Sequence, residues 1–507
     1  MAQYLQSRIE DPIWLEPSDI SFLRTSQISE LTHAKLVEIA SLRNVLAPVR
    51  RVPLEILTEI FELVSKDPRW KIVPHMFILS SVCMAWRKAA HATPRLWSTL
   101  DISFEVFVLG PEFTWVEDWI TRSQTVPLDL YLEFSWECDE FPDVQKQRGK
   151  KFLEHILSQF GHKVRLLDVT GRPSSFLPIL NLSPSSSLSS LEEMYFSICE
   201  DASDDSTGAL EDLFPQKAEV FLGAPKLRQV VLNRGYLLEL LALPAEQLTS
   251  LKVNEEEFHF DTVMFVDILL PRCKQLVSLE IYLPSETFIG LTPKLLILLP
   301  ALRSLEVYNV YDAAENILRC ITAPLLERLS ISCHDEIDEI DLDSFLMDMA
   351  KFQRRSSTAL SSLVFYLASK NRKRNFAEKL IAVLSLFPAI RSLEIHPPWD
   401  VNALVQAMTC NHRNHVLPNL RDLVLFGYLN NHDNRNEEDC CLSVSGLKSM
   451  VLSRWWPDDS GSKVTLRGFH VSELTGDIAH LSALSGLVLD YYAPHKEYEL
   501  PGEIPCT

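Results

Sequence analysis

LVSLEIY (276–282) and LRSLEVY (302–308) are two copies of one pattern: an apolar anchor, two residues, an apolar residue, one residue, an apolar residue. The pattern recurs as LRQVVL (227–232), LTSLKV (248–253), LERLSI (326–331), LSSLVF (360–365), IRSLEI (390–395) and LRDLVL (420–425). Weaker copies begin at Val164, Leu191, Leu466 and Leu484. From Leu227 the anchors lie 21, 28, 26, 24, 34, 30 and 30 residues apart, and a period of roughly 20–50 residues marks a stacked array. Each copy ends in a period-2 alternation, which predicts a short strand. Intervening segments such as FVDILLPRCKQ and FAEKLIAVLSLF have helical apolar spacing. One strand and one helix per repeat predicts a parallel sheet lined on one side by helices.

Strand alternation also predicts which side chains are displayed. In LEIY and LEVY the leucine and the aliphatic residue face the helices, and the residues between and after them face the open, concave side. Successive strands then present Lys252 and Asn254, Glu280 and Tyr282, Glu306 and Tyr308, Ser330 and Ser332, Val364 and Tyr366, Glu394 and His396, Val424 and Phe426. A floor of tyrosines and Phe426 edged by glutamates suits a target protein with basic and apolar side chains. The competing reading is a face covered by the protein's own loops.

The first hundred residues differ in kind. Residues 29–46 carry Leu31, Leu36, Ile39, Leu42 and Leu46, which predicts a helix with one buried side. Lys35 and Glu38 at seam positions argue against a coiled coil. Pro48 ends that helix, and Pro53 opens another, VPLEILTEIFELVS. Its apolar residues cover about 180° of arc, whereas a surface helix needs only about 100°. The excess predicts a second burial partner, inside or outside the chain. A further helical stretch, HMFILSSVCMAWRKAAHATPRLWSTL, places Leu79, Val82, Cys83 and Trp86 at helical spacing before Pro94 and Trp97.

VPLEIL with EIF (52–61), VCMAWR (82–87) and PRLWSTLDIS (94–103), in that order and preceded by PVRR (48–51), resemble the F-box of fungal F-box proteins. Two features depart from it: Val52 replaces the usual leucine before the proline, and KDPRWKIVPH (66–75) lengthens the first link. The repeats resemble the leucine-rich-repeat half of such proteins, although the asparagine expected later in each repeat is mostly absent. Together the resemblances imply a mainly α/β chain: an N-terminal segment with a helix (1–47), a small all-α F-box (48–103), a connecting region (104–163), and an irregular leucine-rich-repeat solenoid with helices on its convex side (164–507).

The F-box resemblance implies docking onto the adaptor subunit of an SCF-type ubiquitin ligase and, through it, onto a cullin. Pro53, Leu54, Ile56, Leu57, Ile60 and Phe61 would form the docking surface, with Leu79, Val82, Cys83, Trp86 and Trp97 completing or supporting it. The repeats would hold a target protein through Glu280, Tyr282, Glu306, Tyr308, Tyr366, Glu394, His396 and Phe426. The alternative is a leucine-rich-repeat interaction scaffold with a non-SCF role or a relict F-box.

Composition narrows the field further. The formal charge of −20, from 68 acids against 48 bases, repels a phosphate backbone and disfavours nucleic acid. Ten scattered cysteines read as reduced thiols, and no long apolar run or signal-type start is present, so a cytoplasmic or nuclear protein away from membranes is expected. KNRKR (370–374) reads as a solvated turn. No phosphate-loop, dinucleotide, nucleophile-elbow or HExxH string occurs, so neither catalysis nor a cofactor is expected. The set Cys410, His412, His415, His432, Cys440 and Cys441 fits no specific zinc spacing. The acidic stretches 200–214 and 333–345 lack the glycine and glutamate of a calcium loop.

Overall fold

The computed structural model describes residues 35, 38 and 39, 52–65, 72–103, 114–134, 143–171, 179–182, 188–198, 217–234, 237–254, 264–282, 296–308, 317–337, 342–369, 376–396, 401–410, 416–426, 444–454, 462–467 and 487–492. Most of the 29–46 helix, the acidic stretch 200–214, residues 338–341 of the acidic stretch 333–345, KNRKR and all of the Cys/His set except Cys410 therefore lie outside the described residues. The chain forms two compact units, one within Met1–Ile102 and Gly110–Asp129, the other within Ser103–Leu109 and Leu130–Thr507. The first unit thus takes in part of the connecting region.

In the first unit, α1 (Leu54–Val64) begins after Pro53, whose carbonyl accepts the Leu57 N–H at 3.1 Å. Glu55 sits in its first turn, where the helix dipole favours an acid. The single helical stretch expected next is two helices, α2 (Ile72–Val82) and α3 (Met84–His91), because Cys83 is extended between them. Arg87 ties the two together, donating from Nε to the Ser80 carbonyl at 2.8 Å. After a helical turn at Pro94–Trp97 come β1 (Thr99–Ser103) and α4 (Thr114–Arg122).

An aromatic cluster forms the core of this unit. Trp97 stacks edge-on against Trp119 at 4.7 Å, lies under the Arg122 guanidinium at 4.8 Å, and donates from its indole to the Ala90 carbonyl at 2.7 Å. Phe61 meets Trp86 at 5.0 Å, so α1 is fastened to α3. These are oriented ring contacts, each adding about 0.5–1.5 kcal/mol beyond the buried area.

The chain continues through β2 (Leu128–Glu133) and α5 (Asp143–Phe160). The repeat strands follow: β3 (Val164–Gly171), β4 (Glu193–Ile198), β5 (Gln229–Leu232), β6 (Ser250–Asn254), β7 (Ser278–Tyr282), β8 (Ile297–Leu298), β9 (Ser304–Tyr308), β10 (Ile321–Thr322), β11 (Arg328–Ile337), β12 (Ser362–Ser369), β13 (Ser392–His396), β14 (Asp422–Phe426), β15 (Ser462–Arg467) and β16 (Leu487–Tyr492). Each of these pairs in parallel with its neighbour in the order β3-β4-β5-β6-β7-β9-β11-β12-β13-β14-β15-β16, and β8 pairs with β10 apart from them. With β8 and β10 set apart, the strands of the array are spatial neighbours in chain order, as a stacked array requires.

Each of the eight strong anchors lies two residues before its strand, from Leu227 before β5 to Leu420 before β14. The anchor closes a turn by donating its N–H three residues back, as Leu227 does to Ala224, Leu302 to Leu299, Leu326 to Ala323, Ile390 to Phe387 and Leu420 to Leu417. In these five turns the second residue is Pro225, Pro300, Pro324, Pro388 or Pro418, at the position whose φ a proline presets. Next, two successive N–H groups converge on one carbonyl of the preceding repeat. Val277 and Ser278 donate to Thr249, Arg303 and Ser304 to Val277, and Glu327 and Arg328 to Arg303. One carbonyl, with its two lone pairs, thus fixes the start of each strand of the array from β5 to β14.

The connections differ in length along the array. Where anchors are 21–28 residues apart, the described residues of the connections form short pieces: α6 (Leu237–Leu240), a π-helical segment at Met264–Leu269, and the two-residue strands β8 and β10. FVDILLPRCKQ is helical as expected over Met264–Leu269, and Pro271 follows it with a 3-10 turn at Leu270–Arg272. Full helices appear in the longer repeats: α7 (Leu342–Ser356), α8 (Phe376–Leu384), α9 (Val401–Met408) and α10 (Val444–Arg454). Arg355, near the end of α7, reaches back to the carbonyls of Leu318 and Ile321 at 2.6 and 2.8 Å. The copy expected at Leu466 is displaced, since that residue lies inside β15.

Candidate functional site

The inward row of the sheet is closed. Leu251, Leu279, Leu305, Leu329, Leu363, Leu393 and Leu423 are buried, as are the aliphatic or aromatic residues two positions on. The outward residues align in two rows. One runs Lys252, Glu280, Glu306, Ser330, Val364, Glu394, Val424; the other runs Asn254, Tyr282, Tyr308, Ser332, Tyr366, His396. Phe426 ends β14 in register with Arg467 of β15. The parallel register thus brings the predicted target-binding residues together on one face.

Within the rows, an acid and a ring alternate by two along a strand, so each pair shares the outward face. Tyr308 donates its hydroxyl to Glu306 at 2.9 Å, and Tyr195 to Glu193 at 3.2 Å; the His396 ring nitrogen Nε2 lies 2.9 Å from Glu394. Burial first, then the neighbouring carboxylate, raises the phenol of Tyr308 well above its ordinary value, and Tyr195 shifts the same way for the same reasons. Both therefore remain hydroxyl donors. Rings also meet across strands: Tyr282 and Tyr308 at 6.1 Å, Tyr366 and His396 at 4.6 Å.

Two of the acids have cations of their own. Lys252 pairs with Glu280 at 2.6 Å and Arg165 with Glu193 at 2.7 Å, both across adjacent strands. Arg165, Glu193 and Tyr195 extend the face beyond the residues expected from sequence. Their signal was the same glutamate–residue–tyrosine spacing as in LEIY.

In the first unit the structure divides the predicted docking set. Leu57, Phe61, Leu79 and Trp97 are buried, so their place is in the core rather than on a docking surface. Cys83 and Trp86 are half-buried, Trp86 against Phe61. Pro53, Leu54, Ile56, Ile60 and Val82 are exposed. The wide apolar arc of α1 accordingly splits into a buried stripe, Leu57 and Phe61, and an uncovered one, Ile56, Ile60 and Leu63, the last 68% exposed. On α2, Met76 and Leu79 point inward while Phe77 and Ile78 remain 49% and 57% exposed. Leu63, Phe77, Ile78 and Met84 were not among the expected docking residues; the apolar run HMFIL was their signal.

Among the described residues no group of three or more His, Cys, Asp or Glu is placed to hold a metal ion, and no helix is long and apolar enough to cross a membrane. Burial pushes the Cys273 thiol up to about 12 and that of Cys320 up to about 11, which removes both as nucleophiles.

No family model and no curated protein matches the chain. Among solved structures, that of a TLR13–ssRNA13 complex is similar, at 16% identity and a TM-score of 0.34, over 66% of this chain and 44% of that one. This chain therefore spans less than half the length of that protein. The class is set by this chain's own register and repeat turns: a mixed α/β, leucine-rich-repeat-like parallel array bearing an acidic and aromatic face.

Proposed function

We propose that this protein is the substrate-holding adaptor of an SCF-type ubiquitin ligase, joined to the ligase by its first unit and holding a target protein on the outward face of its sheet. The observation that carries the reading is the uncovered apolar surface of the first unit. Leu54, Ile56, Ile60 and Leu63 of α1, Phe77, Ile78 and Val82 of α2, and Met84 of α3 are all exposed on a unit that already has a closed aromatic core. Phe77 rests one side of its ring on Trp115 and Trp119 and leaves the other open; so many large apolar side chains left uncovered on a small helical unit are what a partner subunit would bury. Their order along the chain matches the F-box resemblance.

On this reading the protein performs no chemistry. The sheet supplies a rigid mount that positions a target lysine near ubiquitin carried by other subunits, and both partners are proteins. The test is co-purification of the chain with the ligase adaptor and its cullin, comparing the wild type with a variant in Ile56 and Ile60. Loss in the variant supports the assignment; absence of the adaptor from both preparations leaves an interaction scaffold with a relict F-box.

A further inference from the structure

We infer that the outward face between β9 and β13 receives an extended basic protein segment lying across the strands, with two Arg or Lys side chains about four residues apart. The inference rests on the target-holding half of the proposed function and deepens it. Four strands carry the same glutamate–residue–ring unit, at Glu193, Glu280, Glu306 and Glu394. Arg165 and Lys252 compensate the first two. Among the described residues Glu306 and Glu394 have neither a lysine nor an arginine partner, yet each is held in place, by Tyr308 and by His396.

The spacing follows from the register. Glu306 on β9 and Glu394 on β13 are separated by three strand steps, because β11 and β12 lie between them. At about 4.8 Å per step this is about 14 Å, which an extended segment covers in about four residues at roughly 3.3 Å each. Rings flank both acids: Tyr308 beside Glu306, and the Tyr366–His396 pair, 4.6 Å apart, beside Glu394. A guanidinium pairs with a carboxylate and stacks on a phenol ring at once, so arginine fits both places. Between them β11 offers Ser330, half-exposed and small enough for a crossing main chain to come close, while Ser332 beside it is buried. The same two negative charges oppose a phosphate backbone.

The test is selection of a random linear dodecapeptide phage library on the purified full chain and on a Glu306→Gln, Glu394→Gln double variant. Glutamine keeps the acceptor for Tyr308, and matching thermal melts would show that the fold is retained. Enriched peptides should carry two basic residues three to five positions apart. They should bind the double variant about tenfold more weakly, with the wild-type affinity falling as salt rises. Enrichment without such a pair, equal binding to both proteins, or no enrichment over the blank would overturn the inference. Adaptor co-purification is read on the same preparations: peptide failure with the adaptor bound sinks this inference alone, and adaptor failure with peptide selection intact sinks the ligase reading alone.

Discussion

The hydroxyl of Tyr308 donates to the carboxylate of Glu306 across 2.9 Å, two residues earlier on β9 and on the same face of the sheet. Burial and that carboxylate both disfavour the phenolate, so the folded value lies above the ordinary 10.0. A raised value contributes stability that is fully present below pH 10 and is lost as pH rises past 10 through the folded value. In a tyrosinate absorbance titration, Tyr308→Phe should therefore remove amplitude from the part of the curve above pH 10. Loss of amplitude at or below 10 would contradict the burial of this face.

Leu57 and Ile60 are three residues apart on α1 and have opposite fates, the first 2% and the second 44% exposed. Leu57→Asp places a charge in the aromatic core and should cost at least about 3 kcal/mol, unfolding the first unit. Ile60→Asp should cost no more than about 1 kcal/mol. Tryptophan fluorescence during urea unfolding distinguishes them, since Trp86, Trp97 and Trp119 all lie in this unit.

The eight strands that follow the strong anchors were legible because their period-2 alternation repeats behind an anchor, whereas β1 and β2 alternate in the same way with no repeat to mark them. So was the outward face, which follows from alternation alone. The division of α1 was half legible: its arc showed that more was apolar than a surface helix needs, but which half was buried depended on Trp86, distant in sequence. The break at Cys83 was hidden, since neither glycine nor proline marks it. The helical character of 264–272 was legible from its apolar spacing, whereas its wider π-helical winding and 3-10 ending were not, because apolar spacing does not distinguish one helical winding from another.

Leu305 is fully buried under β9, between β7 and β11. Leu305→Ala should cost about 2–5 kcal/mol through lost transfer energy and the cavity left behind. In an array the damage should centre on neighbouring repeats, so hydrogen exchange should quicken most in β7, β9 and β11 and least in β3 and β4. Uniform acceleration would indicate that the repeats do not act as neighbours.

Cys273 and Cys320 combine burial with raised thiol values, so brief maleimide treatment of the native protein at mild alkaline pH should leave both unmodified. After unfolding in denaturant both should label fully. Peptide mapping by mass spectrometry reads the two states, and rapid native labelling of either would place it outside the core.

The most direct test of the ligase assignment is co-expression of the chain with an SCF adaptor subunit and its cullin, followed by affinity purification of wild type and of Ile56→Asp, Ile60→Asp. The account predicts that the adaptor and cullin accompany the wild type and that the variant loses both while keeping its melting profile. Equal recovery of the adaptor by wild type and variant, or by neither, would contradict it.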